Sequence, residues 1–219
     1  RPGAHGQSSW RRRRATAAGR RRAIDAAALL RTVDIERAHV AGFSSGSMIA
    51  QELALRHPDL VRSLVLVGTW ARFDPYARRM VAFWSWLADA APSERAFQEW
   101  FLLWIYTHRA HTDGLVDQLI EESLAFPHPA SAESIRRTIE ALVEHQTGDR
   151  LPDIAAPTLV LAGELDIAAS PQLGRVVADG IPGARFELWP GEVHQPFQES
   201  PQEFNARVDA FWREVEAGS

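Results

Sequence analysis

The chain has no cysteine, so it can build neither a disulfide framework nor a thiolate metal site. It has no apolar run close to the roughly 20 residues that cross a bilayer. Nothing near Arg1 has the layout of a secretory signal. Together these absences lead us to expect a soluble, cytoplasmic protein. Lysine is also missing, and all 24 basic residues are arginine. Acid is missing from residues 1–22, which hold eight of those arginines. The net charge of −4 therefore hides an asymmetry, because the rest of the chain sets 16 arginines against 28 acids, a balance of −12. An arginine-rich arm can bind nucleic acid or an anionic membrane. Here only Trp10 interleaves with the arginines and no recognition fold stands behind them. Residues 1–22 read as a solvated arm without a stable element, with no nucleic-acid and no membrane partner.

What is present fits one globular domain. At 219 residues and 46% apolar content the chain can bury a sizeable core. Ile24 to Leu30 read as the last turns of an Ala/Leu-rich helix. Val40 lies in a short strand, and a helix carrying Met48, Ile49, Leu53 and Leu55 stops at His57-Pro58, where proline cannot continue it. Leu64 to Val67 is a continuous apolar run, as in a strand covered on both faces. Strand, helix and strand at this spacing predict a parallel crossover. Residues 70–150 change to helical patterns alone, with helices expected around Leu115–Ala125 and Ser131–His145. Trp84, Trp86, Trp100 and Trp104 enrich this insert. Most of these rings are expected in its core, and an insert so aromatic suggests an apolar lid over a site. Strands return at Thr158–Ala162 and Arg185–Trp189, with a helix near Gln172–Asp179 between them and a last helix over Pro201–Val215. The expected division is an arm at 1–22, a core at 23–69 and 151–219, and a helical insert at 70–150.

The chemistry centres on Gly42-Phe43-Ser44-Ser45-Gly46, a sharp turn between strand and helix with a serine at its apex. Such a turn crowds the positions two residues either side, so both glycines are expected to lack side chains for that reason. The helix N-terminus then points at a developing oxyanion. A serine hydroxyl needs a base to take its proton and a third group to orient that base. Asp166, in Gly163-Glu164-Leu165-Asp166, and His194, in Gly191-Glu192-Val193-His194, each follow a strand. Ligand sites of open α/β sheets form at such strand ends. Asp153, Asp74 and Glu164 compete for the acid's role from worse positions. His5, His39, His57, His108, His111, His128 and His145 read as surface or packing residues.

From Ile24 onward, nearly nine tenths of the chain, the sequence resembles the α/β-hydrolase superfamily, in the branch of 3-oxoadipate enol-lactonases and aminoacrylate hydrolases. The segments that carry the resemblance are HVAGFSSGSMIAQELALRHPDLVRSLVLVGTWAR, APTLVLAGELD and GEVHQPFQESPQEFNARVDAFW. It implies a mostly parallel sheet with flanking helices and a helical lid. It also implies Ser44 as nucleophile, His194 as base, Asp166 as its partner, the Ser45 backbone amide as an oxyanion donor, and no cofactor or metal. Relatives often carry a bulkier residue where Ser45 stands, so the pocket wall there is expected to differ.

The resemblance also implies strands ahead of residue 24. His5-Gly6-Gln7-Ser8 is similar to a loop that follows the fourth strand in relatives, so the sequence reads as an N-terminally truncated version of the fold, short by about 60 residues at ordinary element lengths. Val40 and the Leu64–Val67 strand would then lack a partner on one side, and a second oxyanion amide would be missing. A bare strand edge is a surface for a second copy of the chain. The expected activity is hydrolysis of a small, apolar ester, lactone or amide; the alternative is a ligand binder of the same fold with impaired or no turnover.

Overall fold

A computed structural model describes the backbone of residues 5–218; the side chains before Gly19 and that of Ala132 lie outside the description. Four strands form one parallel sheet in sequence order: β1 (Ala38–Phe43), β2 (Val61–Val67), β3 (Thr158–Gly163) and β4 (Arg185–Trp189). β2 and β3 are apolar along nearly their whole length and buried on both faces. β1 is half-buried, with Ala41 exposed, because among the described residues β2 is its only partner. The expectation of a bare edge therefore holds for Val40 and is corrected for Leu64–Val67. Leu64 pairs with Val40 on one side and Thr158 on the other, since sequential strand order encloses β2.

Helices α1 (His5–Thr32), α2 (Ser45–Arg56) and α8 (Pro171–Gly180) cover one face. Ala23, Ala27, Ala50, Leu53, Val177 and Ala178 pack there on Leu64, Leu66 and Val160. Helix α10 (Pro201–Ala217), which follows the short α9 (Pro196–Glu199), covers the other, placing Val208 and Phe211 on Val65, Val67, Leu159 and Leu161. The extent of α1 corrects the reading of residues 1–22: from His5 onward that stretch is helical, and residues 1–4 lie outside the described residues. Alanine and arginine are among the strongest helix formers, and α1 meets α2 through small residues rather than a bulky apolar stripe. A Cβ on Gly19 would lie 3.6 Å from Met48 Cε, and Ala23 and Ala27 continue that face one turn apart. Periodicity in large apolar residues could not report such a contact. Arg20, Arg21 and Arg22 stay exposed.

Between β2 and β3 lies the helical insert: α3 (Pro75–Ala90), α4 (Glu94–Leu102), α5 (His108–Thr112), α6 (Leu115–Ala125) and α7 (Ala132–Glu144). Asp74, Ser93, Thr107 and Ser131 each cap a helix by accepting from an amide three residues on. The insert has its own core, joined to the sheet domain through Ala168, Ala169 and Leu173. The expectation that most of its tryptophans pack inward is corrected. Trp84 is buried, whereas Trp86, Trp100 and Trp104 are 61, 44 and 37% exposed. In α3 the inward stripe is Ala77, Met80, Val81, Trp84 and Leu87, a helical spacing that leaves Phe83 and Trp86 outside it. No helix of the described residues is long and apolar enough to cross a membrane.

Candidate active site

Ser44 stands between β1 and α2 at φ 49°, ψ −117°, a left-handed conformation rare for a side-chain-bearing residue. Such strain costs of order 1–3 kcal/mol and persists only where the surroundings impose it. Several contacts impose it here. The Ser44 amide donates to Val67 O at 2.9 Å, and its carbonyl accepts from the Ser47 amide at 3.0 Å and the Ser47 hydroxyl at 2.6 Å. A Cβ on Gly42 would come within 2.6 Å of Gly46 O and 2.8 Å of Ser47 Cα, so only glycine fits there. Gly46 is different. A Cβ there would meet nothing within 4 Å, so crowding does not require that glycine, contrary to expectation. Gly46 is already in the first turn of α2, whose packed face is further along at Ser47, Met48 and Ala50. Ser45 opens α2, where the first amides of a helix have no partner within it.

Asp166 and His194 come together at the ends of β3 and β4. His194 Nδ1 lies 2.8 Å from Asp166 Oδ2, and both residues are buried. Asp166 Oδ1 accepts from the amides of Ala168 at 2.8 Å and Ala169 at 2.9 Å, which locks the carboxylate's orientation. A carboxylate only accepts, so Nδ1 carries the hydrogen, and in the neutral imidazole Nε2 is the nitrogen with the lone pair. Phe43 and His194 rings lie 4.7 Å apart, centroid to centroid, which brings His194 beside the residue preceding Ser44.

Two glycines that sequence reasoning passed over as site residues make this assembly possible. Gly68 follows β2 at φ 54°, and a Cβ there would lie 2.8 Å from His194 Cε1. On Gly163 a Cβ would lie 2.2 Å from Val193 O and 2.6 Å from Glu192 O. The Asp166 and His194 loops are thereby pressed together and bonded: Leu165 N donates to Glu192 O at 2.9 Å, Glu164 N to Trp189 O at 2.9 Å, and Gly191 N to Glu164 Oε2 at 3.0 Å. A glycine closing each of two apolar runs was the available signal. The competing acids have other work. Asp74 caps α3, Glu164 holds the His194 loop, and Asp153 is exposed at the end of a short helical turn.

Among the other histidines, His39 bonds Ser63 Oγ and Glu216 and stacks on Trp212. His145 is buried, and burial, opposed by Glu52 and reinforced by Arg150, pushes it down to about 4. His57 follows α2, His108 and His111 lie in α5, and His128 in the loop before α7. The side chain of His5 lies outside the description. Described residues offer no cluster of three or more His, Asp or Glu fit to hold a metal.

The insert reaches this site at Tyr106–Arg109. Tyr106 OH donates to Gln198 Oε1, Thr107 N to Glu199 Oε1 at 3.1 Å, and Thr107 Oγ1 to Glu199 Oε2. Arg109 lies 3.6 Å from Glu192 and 3.9 Å from Glu199. Burial, with help from Glu199, raises the Tyr106 hydroxyl above its usual range and keeps it a neutral donor.

Comparison with known proteins agrees with the fold. A family described as alpha/beta hydrolase fold matches residues 4–201. A protein named carbamate hydrolase RutD from Azorhizobium caulinodans is 31% identical over 194 residues, covering 89% of this chain and 73% of that protein. The structure of a protein named non-heme bromoperoxidase BpoC, from Mycobacterium tuberculosis H37Rv, matches with TM-score 0.77 at 30% identity, over 88% of this chain and 73% of that one. The enol-lactonase from Burkholderia xenovorans LB400 matches with TM-score 0.75 at 27% identity, over 86% and 70%.

Proposed function

Because this chain belongs to the α/β-hydrolase family, we propose that it is a serine hydrolase that splits a small, apolar ester, lactone or amide through an acyl-enzyme. The observation that carries this reading is the buried 2.8 Å contact of His194 Nδ1 with Asp166, with His194 packed on Phe43, the residue before a strained serine at the head of a helix. Ser44 Oγ attacks the substrate carbonyl while His194 Nε2 takes its proton. Asp166 holds the ring in the Nδ1–H tautomer and stabilises the imidazolium that forms. The Ser45 amide, at the positive end of α2, receives the oxyanion. His194 returns the proton to the leaving group, and water, activated by the same nitrogen, releases the acid. No step calls for a cofactor or metal. The names of the relatives, a carbamate hydrolase and an enol-lactonase, support a small carbonyl substrate. The aromatic content of the insert supports an apolar one, with the insert as its lid.

A fluorophosphonate probe is expected to label the purified protein at Ser44, and Ser44→Ala is expected to remove both labelling and turnover. Labelling that survives this substitution would end the assignment. A second reading is a binder of the same fold with slow or no turnover. Ligand-dependent thermal stabilisation without turnover would select that reading, and turnover abolished by His194→Ala would exclude it. Under either reading a second copy of the chain would pair along the open edge of β1, which a monomer at all concentrations in sedimentation would rule out.

A further inference from the structure

The insert leaves the sheet domain at residues 69–71 and returns at 145–147, and both roots meet one side chain of the nucleophile helix. Gln51 is fully buried about two turns along α2 from Ser44. Its Nε2 donates to Thr69 Oγ1 at 2.9 Å and to Trp70 O at 3.1 Å. Its Oε1 lies 2.6 Å from Thr147 Oγ1 and 3.3 Å from His145 Nε2. Trp70 O can only accept, so the amide nitrogen must face it and the Thr147 hydroxyl donates on the other side. All four hydrogen-bonding positions of the side chain are thus used, two on each root. The roots also bond one another, Thr147 N donating to Ala71 O at 3.0 Å. The next residue of α2, Glu52, ties the returning root again through Arg150, 3.3 Å from Nη1 to Oε2. Burial would raise the Glu52 carboxyl, but Arg150 and Arg56 outweigh it and hold the group below its ordinary range.

We propose that Gln51 is a positioning residue that clamps both roots of the insert to the helix carrying Ser44, and so sets how the insert closes over a bound substrate. The proposal rests on the serine-hydrolase reading and adds to it a determinant of acyl-chain preference outside the triad. A short ester ends near Ser44 and does not need the insert, whereas a longer one must lie along it. Gln51→Leu and Thr147→Val each remove bonds of the clamp without adding bulk, and Thr147→Ser keeps the hydroxyl. With p-nitrophenyl acetate and octanoate as substrates, Gln51→Leu and Thr147→Val are expected to raise the octanoate KM at least fivefold, with acetate kcat within twofold of the parent. Amide exchange at 69–71 and 145–147 is expected to quicken at least tenfold in both, with that of β3 unchanged. Thr147→Ser is expected to restore both readouts. Parallel losses of kcat on the two esters, a Thr147→Ser variant as impaired as Thr147→Val, or unchanged exchange at the two roots would overturn the proposal. The serine-hydrolase reading fails separately, by absent fluorophosphonate labelling of the parent. In that event the exchange comparison still decides the clamp, because it needs no substrate.

Discussion

The sheet domain and the helical insert are held by different kinds of contact. In the sheet domain the loops that matter touch backbone to backbone. Gly163 lies under the backbone of Val193 and Glu192, and amides on the Asp166 loop bond carbonyls on the His194 loop. No side chain can relax to relieve such contacts. In the insert, neighbouring elements meet through side chains. Trp70 stacks on Phe73 at 4.5 Å, Trp84 meets Phe101 edge-on at 5.1 Å, and the partly exposed Phe83 and Trp104 pair at 5.6 Å. The Asp166–His194 pair therefore belongs to the stiffer region, and the insert can vary its surface without disturbing it.

The sharpest way to break this comparison is Gly163→Ala. A methyl 2.2 Å from a backbone carbonyl must push the His194 loop away. The expected outcome is a stability loss of about 2–4 kcal/mol, in the upper range for single substitutions, measured by urea unfolding. Turnover should fall further than stability explains, because Asp166 and His194 separate. Wild-type stability and rate in this variant would refute the account of the loops.

A smaller effect tests where the two regions join. His145 takes up its proton near pH 4 when folded and near 6.5 when unfolded. The unfolded chain therefore binds more protons between those values, and stability falls as pH drops from about 6.5 to about 4, by up to about 1.4 kcal/mol per unit. His145→Gln is expected to flatten that part of a urea-midpoint profile against pH, and an unaltered slope would show that His145 is not its source. Glu52 adds a loss at lower pH, since its stabilisation is present above the unfolded carboxylate range and disappears as pH falls through its depressed folded value.

The smallest effects should come from positions that touch little. Trp86→Ser, on the exposed side of α3, is expected to change stability by no more than about 0.5 kcal/mol. Gly46→Ala has open space for its methyl and a helical setting that favours alanine by up to about 1 kcal/mol. A melting temperature unchanged or slightly raised is expected in Gly46→Ala, and a collapse there would restore the crowding argument for both glycines of the turn.

Much of the fold was legible because its signals are local. The apolar runs of β2 and β3 and the proline after α2 each announce an element within a few residues. The meeting of Asp166 with His194 was legible too, since strand ends in a parallel sheet converge and residues just past them approach one another. The helical extent of α1 was not, because its contact with α2 runs through Gly19, Ala23 and Ala27 rather than large apolar residues. The exposure of Trp86, Trp100 and Trp104 was not, because hydrophobicity alone does not say which face of a helix finds a neighbour.

By itself the sequence determined the strand-helix-strand crossover and the sharp turn at Ser44, since each follows from residue types at short spacing. Tertiary structure alone decided that Gly42 is crowded while Gly46 is free, that β2 is enclosed while β1 is an edge, and that Gln51 gathers Thr69, Trp70, His145 and Thr147. These depend on which atoms meet across separations of up to about a hundred residues. No local pattern encodes such meetings, because the chain between them sets only how far apart they can be.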